Sequence, residues 1–315
     1  MILSCGEALI DFIPARAEAG AYLPRPGGSP YNVAVALGRL GVPSGFAGGI
    51  STDFFGDQLV ASLRESGVST NHMTRLDRPS TLAFASLDAA EPRYAFYDAE
   101  AADRHWRLPG DALPGAGIDA VHCGSLALVR PPAAAAFETL LLGAHVAGLV
   151  VSLDPNIRAE HIGDAAGHRA RLGLLAAAAD IVKLSLADLA WMAPGAAPDD
   201  FAASLVGNGP SLVVISAGAQ GATAYAHAGK VSGAAEKVAV VDTVGAGDAF
   251  MAGLLAGLWD GGDLTRSALA RLPEVALAKA LRLALSVAAL TCTRPGADPP
   301  WRRELAEPGN ERSHA

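Results

Sequence analysis

The sequence predicts an α/β protein: a central, mostly parallel sheet flanked by helices on both faces, with a small β-sheet set apart from it as a lid. Three observations carry this. Short apolar or β-branched runs alternate with helical runs along most of the chain, as at 120–123, 133–147 and 149–153, the order that builds parallel strands with crossover helices. Polar residues collect just past such runs, at Asp154-Pro155-Asn156-Ile157-Arg158 and Lys183-Leu184-Ser185, where an open α/β sheet forms its ligand crevice. Residues 80–97 break the alternation with two short strands joined by an acidic turn at 88–92. A hairpin inserted there projects from the main sheet, to cover a site or to pair with a second subunit. The division that follows is one domain over 1–310, with lid strands inserted at about 12–24 and 80–105.

In chain order, an apolar strand-like run at 1–13 carries Glu7 and Asp11. Glu7 reads as a surface residue of an edge strand, while Asp11 stays open between surface and site. Arg25-Pro26-Gly27-Gly28-Ser29-Pro30-Tyr31-Asn32 leads into a helical run at 33–41 that Gly41 and Pro43 stop. Gly27 and Gly28 let backbone approach closely, and the amide of Asn32 can donate to and accept from the hydroxyls of a polyol ligand. A glycine turn with Asn32 as helix cap is the competing reading. A strand at 45–50 and an amphipathic helix at 53–66, with Leu59, Val60 and Leu63 on one side, repeat the unit.

Beyond the hairpin, Arg158 meets either a phosphate or substrate oxygen, or an ion-pair partner in Asp154. Strand 181–185 ends at Ser185, and Asp188 follows three residues on. A metal contact through water suits that carboxylate, and so does helix capping by Ser185. Strand 211–216 turns at Ala217-Gly218-Ala219-Gln220-Gly221 into another at 222–226; the glycines admit a flat nucleotide base or simply make a hairpin. A strand is expected at 238–241, a helix at 249–259 ended by Asp260-Gly261-Gly262, and a long apolar helix at 273–292 carrying Lys279 and Arg282. Arg294-Pro295-Gly296-Ala297 makes a closing turn, and 308–315 is a polar, frayed tail.

With 51% hydrophobic and 18% charged residues, the 315-residue chain suits a packed globular core. Its net charge of −8 argues against nucleic acid or an anionic membrane as the main partner. Cys5, Cys123 and Cys292 are widely spaced inside apolar runs, which fits reduced buried thiols rather than a disulfide framework or a zinc site. The eight histidines show no metal spacing. The N-terminus has no basic region ahead of its apolar run, and no stretch reaches the roughly 18 uncharged apolar residues of a membrane span, so a cytoplasmic protein is expected.

The stretch richest in chemistry is Asp242-Thr243-Val244-Gly245-Ala246-Gly247-Asp248-Ala249-Phe250. Its glycines fall where a strand passes into a helix, so the amides of Gly245, Ala246 and Gly247, added to the positive helix end, favour an anion. Asp248 sets a carboxylate beside that cradle. A pure phosphate binder gains nothing from it, whereas a phosphoryl transferase uses it to take the proton of the incoming hydroxyl. A tight turn with a capping carboxylate is the bland alternative. The chain has no Gly-x-x-x-x-Gly-Lys-Ser/Thr loop and no Gly-x-Ser-x-Gly elbow, so phosphoryl transfer here is not of the P-loop kind.

Two separated segments, Gly27-Gly28-Ser29-Pro30-Tyr31-Asn32-Val33-Ala34 and 242–250, together resemble the two signatures of the ribokinase-like (PfkB-type) carbohydrate kinases. Within that family, 6–12, 122–126, 154–158 and 183–185 are similar to segments of bacterial fructokinases. The resemblance implies a ribokinase-like fold and ATP-dependent transfer to a primary sugar hydroxyl, D-fructose by preference. It implies Asp248 as the base, with the Gly245, Ala246 and Gly247 amides on the γ-phosphoryl group. Asp11, Gly27, Gly28, Asn32 and Arg158 are then placed at the sugar, and Lys183, Ser185, Ser216, Gly218 and Gly221 along the nucleotide.

Mg2+ is implied as cofactor, with Asp188 reaching it through water, although the family's Asn-x-x-Glu is here Ser185-Leu186-Ala187-Asp188. A monovalent cation such as K+ is implied around Asp242, Val244 and Gly296; Pro300, standing where a small hydroxyl residue is expected, leaves K+ activation open. Sugar and ATP are the partners, with no nucleic acid and no membrane, and a homodimer through the β lid is left open. The alternatives are 2-keto-3-deoxygluconate kinase, for which Arg93 or Arg104 would supply the cation an acid sugar needs, another sugar or nucleoside kinase, and a non-catalytic sugar or nucleotide sensor.

Overall fold

The computed structural model describes residues 1–15, 20–86, 93–110, 115 and 117–305. The acidic turn expected at 88–92 and the tail expected at 308–315 lie outside the described residues. Fourteen strands are described: β1 (Ile2–Cys5), β2 (Leu9–Pro14), β3 (Tyr22–Gly27), β4 (Ser44–Ala47), β5 (Gly49–Ser51), β6 (Thr74–Leu76), β7 (Thr81–Ser86), β8 (Arg93–Tyr97), β9 (Ala120–Gly124), β10 (Val150–Asp154), β11 (Ile181–Ser185), β12 (Leu212–Ser216), β13 (Ala222–Ala226) and β14 (Gly229–Gly233). The described α-helices are α1 (Ser29–Arg39), α2 (Phe54–Glu65), α3 (Ala133–Val146), α4 (Ala165–Ala178), α5 (Leu186–Met192), α6 (Pro198–Val206), α7 (Ala246–Gly261), α8 (Arg266–Leu269) and α9 (Glu274–Cys292).

Eight strands form the main sheet in the order β14-β13-β12-β11-β10-β9-β1-β4. The run from β12 to β4 is parallel, and β13 and β14 add an antiparallel edge. Both faces are covered, because successive side chains of a strand point to opposite sides. Ala120, Val150, Ile181 and Leu212 pack with α1, α7 and α9. Their chain neighbours Val121, Val151 and Val182 pack with α3 and α4 on the other side. This is why the central strands read as unbroken apolar runs rather than as alternation.

The helices α7 and α9 approach very closely. A Cβ on Gly253 would stand 2.7 Å from the Cα of Ala284, and one on Gly257 would stand 2.6 Å from the Cα of Ala280. The Gly-x-x-x-Gly spacing therefore lets the backbones meet, and α7 is held against the sheet along most of its length. α9 has the length and apolar composition of a membrane span; its buried face, including Leu277, Ala280, Leu281 and Ala284, is spent on this packing.

Several expected elements take a different form. The opening run at 1–13 is two strands in two sheets. A Cβ on Gly6 would stand 2.4 Å from Pro30 Cγ, so the chain bends there at close quarters and passes from β1 in the main sheet to β2 in the small one. The run at 45–50 likewise splits into β4 and β5 around Gly48. Residues 238–241 are not a strand; the amides of Val241 and Asp242 both donate to the Cys292 carbonyl. β-Branched content alone does not make a strand, because β propensity depends on context.

The small sheet has the order β3-β2-β7-β8. Its strands come from two distant stretches, and β2 joins them by pairing antiparallel to β3 and parallel to β7. Phe12 and Phe84 stack across that pairing with ring centroids 4.5 Å apart, and Tyr22 and Tyr97 set their edges against Phe84. This aromatic cluster gives a thin sheet its cohesion.

Candidate active site

A cleft of about 230 Å³ lies between the carboxyl ends of the main-sheet strands and the small sheet. It brings together Asp11, Gly28, Asn32, Arg158, Val244, Gly245, Gly247 and Asp248 from the residues singled out by sequence. Four segments far apart in the chain thus converge: β2, the start of α1, the loop after β10 and the start of α7.

α7 begins with Gly245 at φ 75°, the left-handed region that glycine enters without strain. A side chain there would also strike Ala297, whose Cβ stands 2.5 Å from a built Cβ. The turn places the amides of Gly247 and Asp248 at the open helix end, without a hydrogen-bond partner among the described residues. The amide of Ala246 is different: it donates to the Thr243 carbonyl at 3.2 Å, so the expected cradle of three amides loses this one to its own turn. Below the turn, a Cβ on Gly247 would stand 3.3 Å from Lys183 Nζ. Lys183 is buried and pairs with the equally buried Asp154 at 2.7 Å. Two carboxylates besides Asp154, those of Asp188 and Asp248, add their attraction and hold the ammonium in its charged form against the burial that opposes it.

Asp248, 6% exposed, is held by both oxygens. Ser29 Oγ donates to Oδ1 at 2.7 Å and Asn32 Nδ2 donates to Oδ2 at 2.8 Å. Asn156 Nδ2 lies 3.0 Å from Ser29 Oγ and 3.5 Å from Asp248 Oδ1. Burial raises the carboxyl above the ordinary range, while the Asn32 and Ser29 bonds and then Lys183 and Arg158 work against it. Asn32 is therefore a partner of the carboxylate from within the first turn of α1; the helix cap itself is Gly28.

Asp11 faces the same cleft from β2 and has no hydrogen-bond partner among the described residues. Burial, then the nearby Asp248, push its carboxyl up to about 7, with Arg158 pulling the other way. A Cβ on Gly27 would stand 2.2 Å from Asp11 Oδ2, so the missing side chain of Gly27 is the room in which that carboxylate sits.

Other assignments change. Arg158 does not pair with Asp154, which Lys183 takes; its guanidinium donates to Asn156 Oδ1 at 2.7 Å and stays exposed. Asp188 is occupied: Oδ1 accepts from the Ile157 amide and Oδ2 from the Ser185 amide and hydroxyl, a capping box that starts α5. Asp242 bridges two loops by accepting from the amides of Val244 and Gly296. Ser185, Ser216, Gly218 and Gly221 lie outside the cleft, at the carboxyl ends of β11 and β12 and in the turn after β12. Gly221, at φ 98°, could not carry a side chain, since a Cβ would stand 2.0 Å from the Gly233 carbonyl oxygen. Arg104 lies away from the cleft, 3.5 Å from Asp98 and beside a separate small cavity. The side chain of Arg93 lies outside the described residues.

Glu7, expected on a surface edge, is 4% exposed and lines the cleft. Ser29 and Asn156 also take places that sequence reading did not give them. Asn156 and Ser125 carry the only positive φ values of non-glycine residues among the described residues, 40° and 57°. They follow neighbouring strands β10 and β9, so the strain falls at the cleft itself, where strained backbone tends to be functional.

Fold and cleft define a phosphotransferase type of α/β protein: an anion-accepting helix end with a buried carboxylate in its first turn. The pfkB family carbohydrate kinase profile matches residues 1–303. A fructokinase of Rhizobium leguminosarum bv. trifolii is 43% identical over 281 residues, covering 88% of this chain and 85% of its own. The structure of a fructokinase with bound ATP from Xylella fastidiosa superposes with a TM-score of 0.86 at 31% identity, over 94% of this chain and 93% of that one. A fructokinase from Vibrio cholerae O395, bound to fructose, ADP and potassium ion, gives 0.81 at 27% identity over the same shares. The chain belongs to the pfkB family of carbohydrate kinases.

Proposed function

We propose that this protein is a fructokinase, transferring the γ-phosphoryl group of ATP to a primary hydroxyl of D-fructose. The observation that carries the reading is Asp248: a buried carboxylate fixed by Ser29 and Asn32, beside the free amides of Gly247 and of its own backbone, in a cleft that also holds Asp11. In this reading Asp248 takes the hydroxyl proton as the oxygen attacks. The Gly245 and Gly247 end of α7 and the ammonium of Lys183 meet the negative charge that spreads over the phosphoryl oxygens. Asp11, Gly28, Asn32 and Arg158 hold sugar hydroxyls, Gly27 makes room for Asp11, and the nucleotide runs over Ser185, Ser216, Gly218 and Gly221.

Among the described residues no three His, Cys, Asp or Glu side chains gather as a metal cage. That suits Mg2+, which keeps most of its waters and is bound chiefly by phosphates. Asp154, whose Oδ1 is buried without a partner among the described residues, offers an acceptor for those waters, and Asp188 has only the remaining lone pair of Oδ1 to offer beside its bonds to Ile157 and Ser185. When bound, Mg2+ neutralises charge on the β- and γ-phosphates. K+ is assigned to the paired loops that Asp242 ties together, near Val244 and Gly296. The small sheet acts as a lid over the sugar, and its exposed Tyr22, Leu23 and Tyr97 suit pairing of two lids in a homodimer. With ATP and a free sugar as substrates, the cytoplasm is the compartment this reading assigns.

The test is ADP release with Mg2+ across fructose, 2-keto-3-deoxygluconate, ribose, tagatose and nucleosides, with and without K+. Fructose is expected to show the highest kcat/KM. A better acid sugar moves the assignment within the family, and release with none of them favours a sensor.

A further inference from the structure

Glu7 occupies the break between β1 and β2, and its side chain joins two segments far from it in sequence. Oε1 accepts the amide hydrogen of Ser29 at 3.1 Å, and Oε2 accepts that of Ala127 at 2.9 Å. Ser29 opens α1, and Ala127 sits in the 3-10 turn Ser125–Leu128 that follows β9. The main chain of Glu7 presses on the same place: a Cβ on Gly28 would stand 2.5 Å from the Glu7 carbonyl oxygen. No cation pairs with the carboxylate among the described residues. Arg130, which is close enough to feel its charge, pairs with Asp98. Asp103 faces Glu7 across a small cavity of about 20 Å³.

Ser29 is what makes this arrangement matter. The residue whose amide Glu7 holds is the residue whose hydroxyl donates to Asp248 Oδ1 at 2.7 Å. We propose that Glu7 is a positioning residue for the reaction: its carboxylate clamps the N-terminus of α1 against the turn after β9, and through the Ser29 hydroxyl it fixes the orientation of Asp248. This rests on Asp248 being the base. A carboxylate is required because both of its oxygens meet a donor. A glutamine of the same shape would turn its own N–H groups toward one of those two amides, and an aspartate is too short to span them.

The test combines Glu7→Gln with Ser29→Ala. In Glu7→Gln, kcat for the preferred sugar is expected to fall about tenfold, the size of one well-placed hydrogen bond, while equilibrium affinities for sugar and ATP hold. The Ser29 bond helps keep the Asp248 carboxyl down, so loosening it moves the acid limb of the kcat profile to higher pH. Asp248 is also faced by Asp11 on β2, Asp154 on β10, Lys183 on β11 and Arg158, none of which the substitution touches. Ser29→Ala is expected to give the same shift, and the double variant little more, as for two changes that act through one contact. An unmoved kcat and acid limb in Glu7→Gln, or losses that simply multiply in the double variant, overturn the proposal. So does a parallel loss of kcat and of both affinities, which marks a general structural brace. If Glu7→Gln does not accumulate as folded protein, Glu7→Asp carries the same measurements, and failure of both to fold also decides for the brace. Full activity of Asp248→Asn would instead defeat the base reading, independently of Glu7.

Discussion

The cleft has two walls of opposite character. On the main-sheet side, Asp248 sits on a helix packed against α9 and α1 and has a protein donor on each oxygen. On the small-sheet side, Asp11 sits on a four-stranded layer with exposed aromatic residues, and its side chain has no hydrogen-bond partner among the described residues. The first carboxylate is finished before any ligand arrives, and the second is left waiting for one. Asp11 is half-buried at the cleft wall, and a partly desolvated carboxylate without a partner gains from a ligand donor that completes it. The difference separates two tasks: the rigid wall holds the chemistry, and the thin wall recognises the sugar.

The comparison breaks first at Asp248. Asp248→Asn is expected to lower kcat by about 10² to 10⁴-fold, the range of a general base, with sugar affinity nearly kept because Asn32 and Ser29 remain. Turnover close to that of the parent chain would remove the rigid wall's role. Asp11→Asn is expected to act on the other quantity, raising KM for the sugar by about 10- to 100-fold, the worth of a hydrogen bond to a charged group, with a smaller change in kcat. Equal losses in kcat from the two substitutions would collapse the distinction.

The pH dependence sharpens the same contrast. The Asp11 carboxyl lies near 7 in the folded chain against about 3.9 in an unfolded one. A carboxyl raised on folding contributes stability that is whole below about pH 4 and is lost as pH climbs through about 7. The free protein is therefore expected to lose melting temperature across that window by this group, and Asp11→Asn is expected to flatten the loss. Sugar binding runs the opposite way: the ionised carboxylate is the better acceptor, so KM is expected to fall as pH rises through about 7. A KM that is flat between pH 6 and 8 in the parent chain would detach Asp11 from the sugar.

How far the sequence foretold these walls differs between them. Alternation placed most main-sheet strands and the helices α1, α2, α3, α7 and α9, because a strand buried on both faces and a helix with one apolar stripe each leave a periodic trace. The places of Asp248, Gly245 and Asn32 in the cleft were legible because their segments are short, glycine-marked and contiguous, whereas Asp11, inside a long apolar run, was drawn to it only by the family resemblance. Glu7 was not: a carboxylate in an apolar run reads as an outward residue, and the two amides that satisfy it come from 22 and 120 positions away. Ser29 and Asn156 were hidden for the same reason, since their roles exist only once α1, α7 and β10 are side by side. Residues 238–241 show the converse, a valine-rich run that is not a strand.

The smallest expected effect comes from the adjoining glycines, which test the two walls at the distance of one residue. A Cβ on Gly27 meets a movable group, the end of the Asp11 side chain at 2.2 Å, and Gly27 does not have a positive φ. Gly27→Ala is therefore expected to fold normally and to answer the clash by swinging Asp11 aside, which raises the sugar KM several-fold, a change of about 1 kcal/mol, and leaves kcat alone. A Cβ on Gly28 meets a fixed group, the Glu7 carbonyl oxygen at 2.5 Å, from a backbone at φ 107°. Here the positive-φ backbone alone costs a side chain about 1 to 3 kcal/mol, and the carbonyl cannot step back without moving β1 and β2. Thermal melts and sugar kinetics on the two single variants separate these outcomes. A Gly27→Ala chain with an unchanged KM and a lowered melting temperature would show that Asp11 is held in place by more than the empty space beside it.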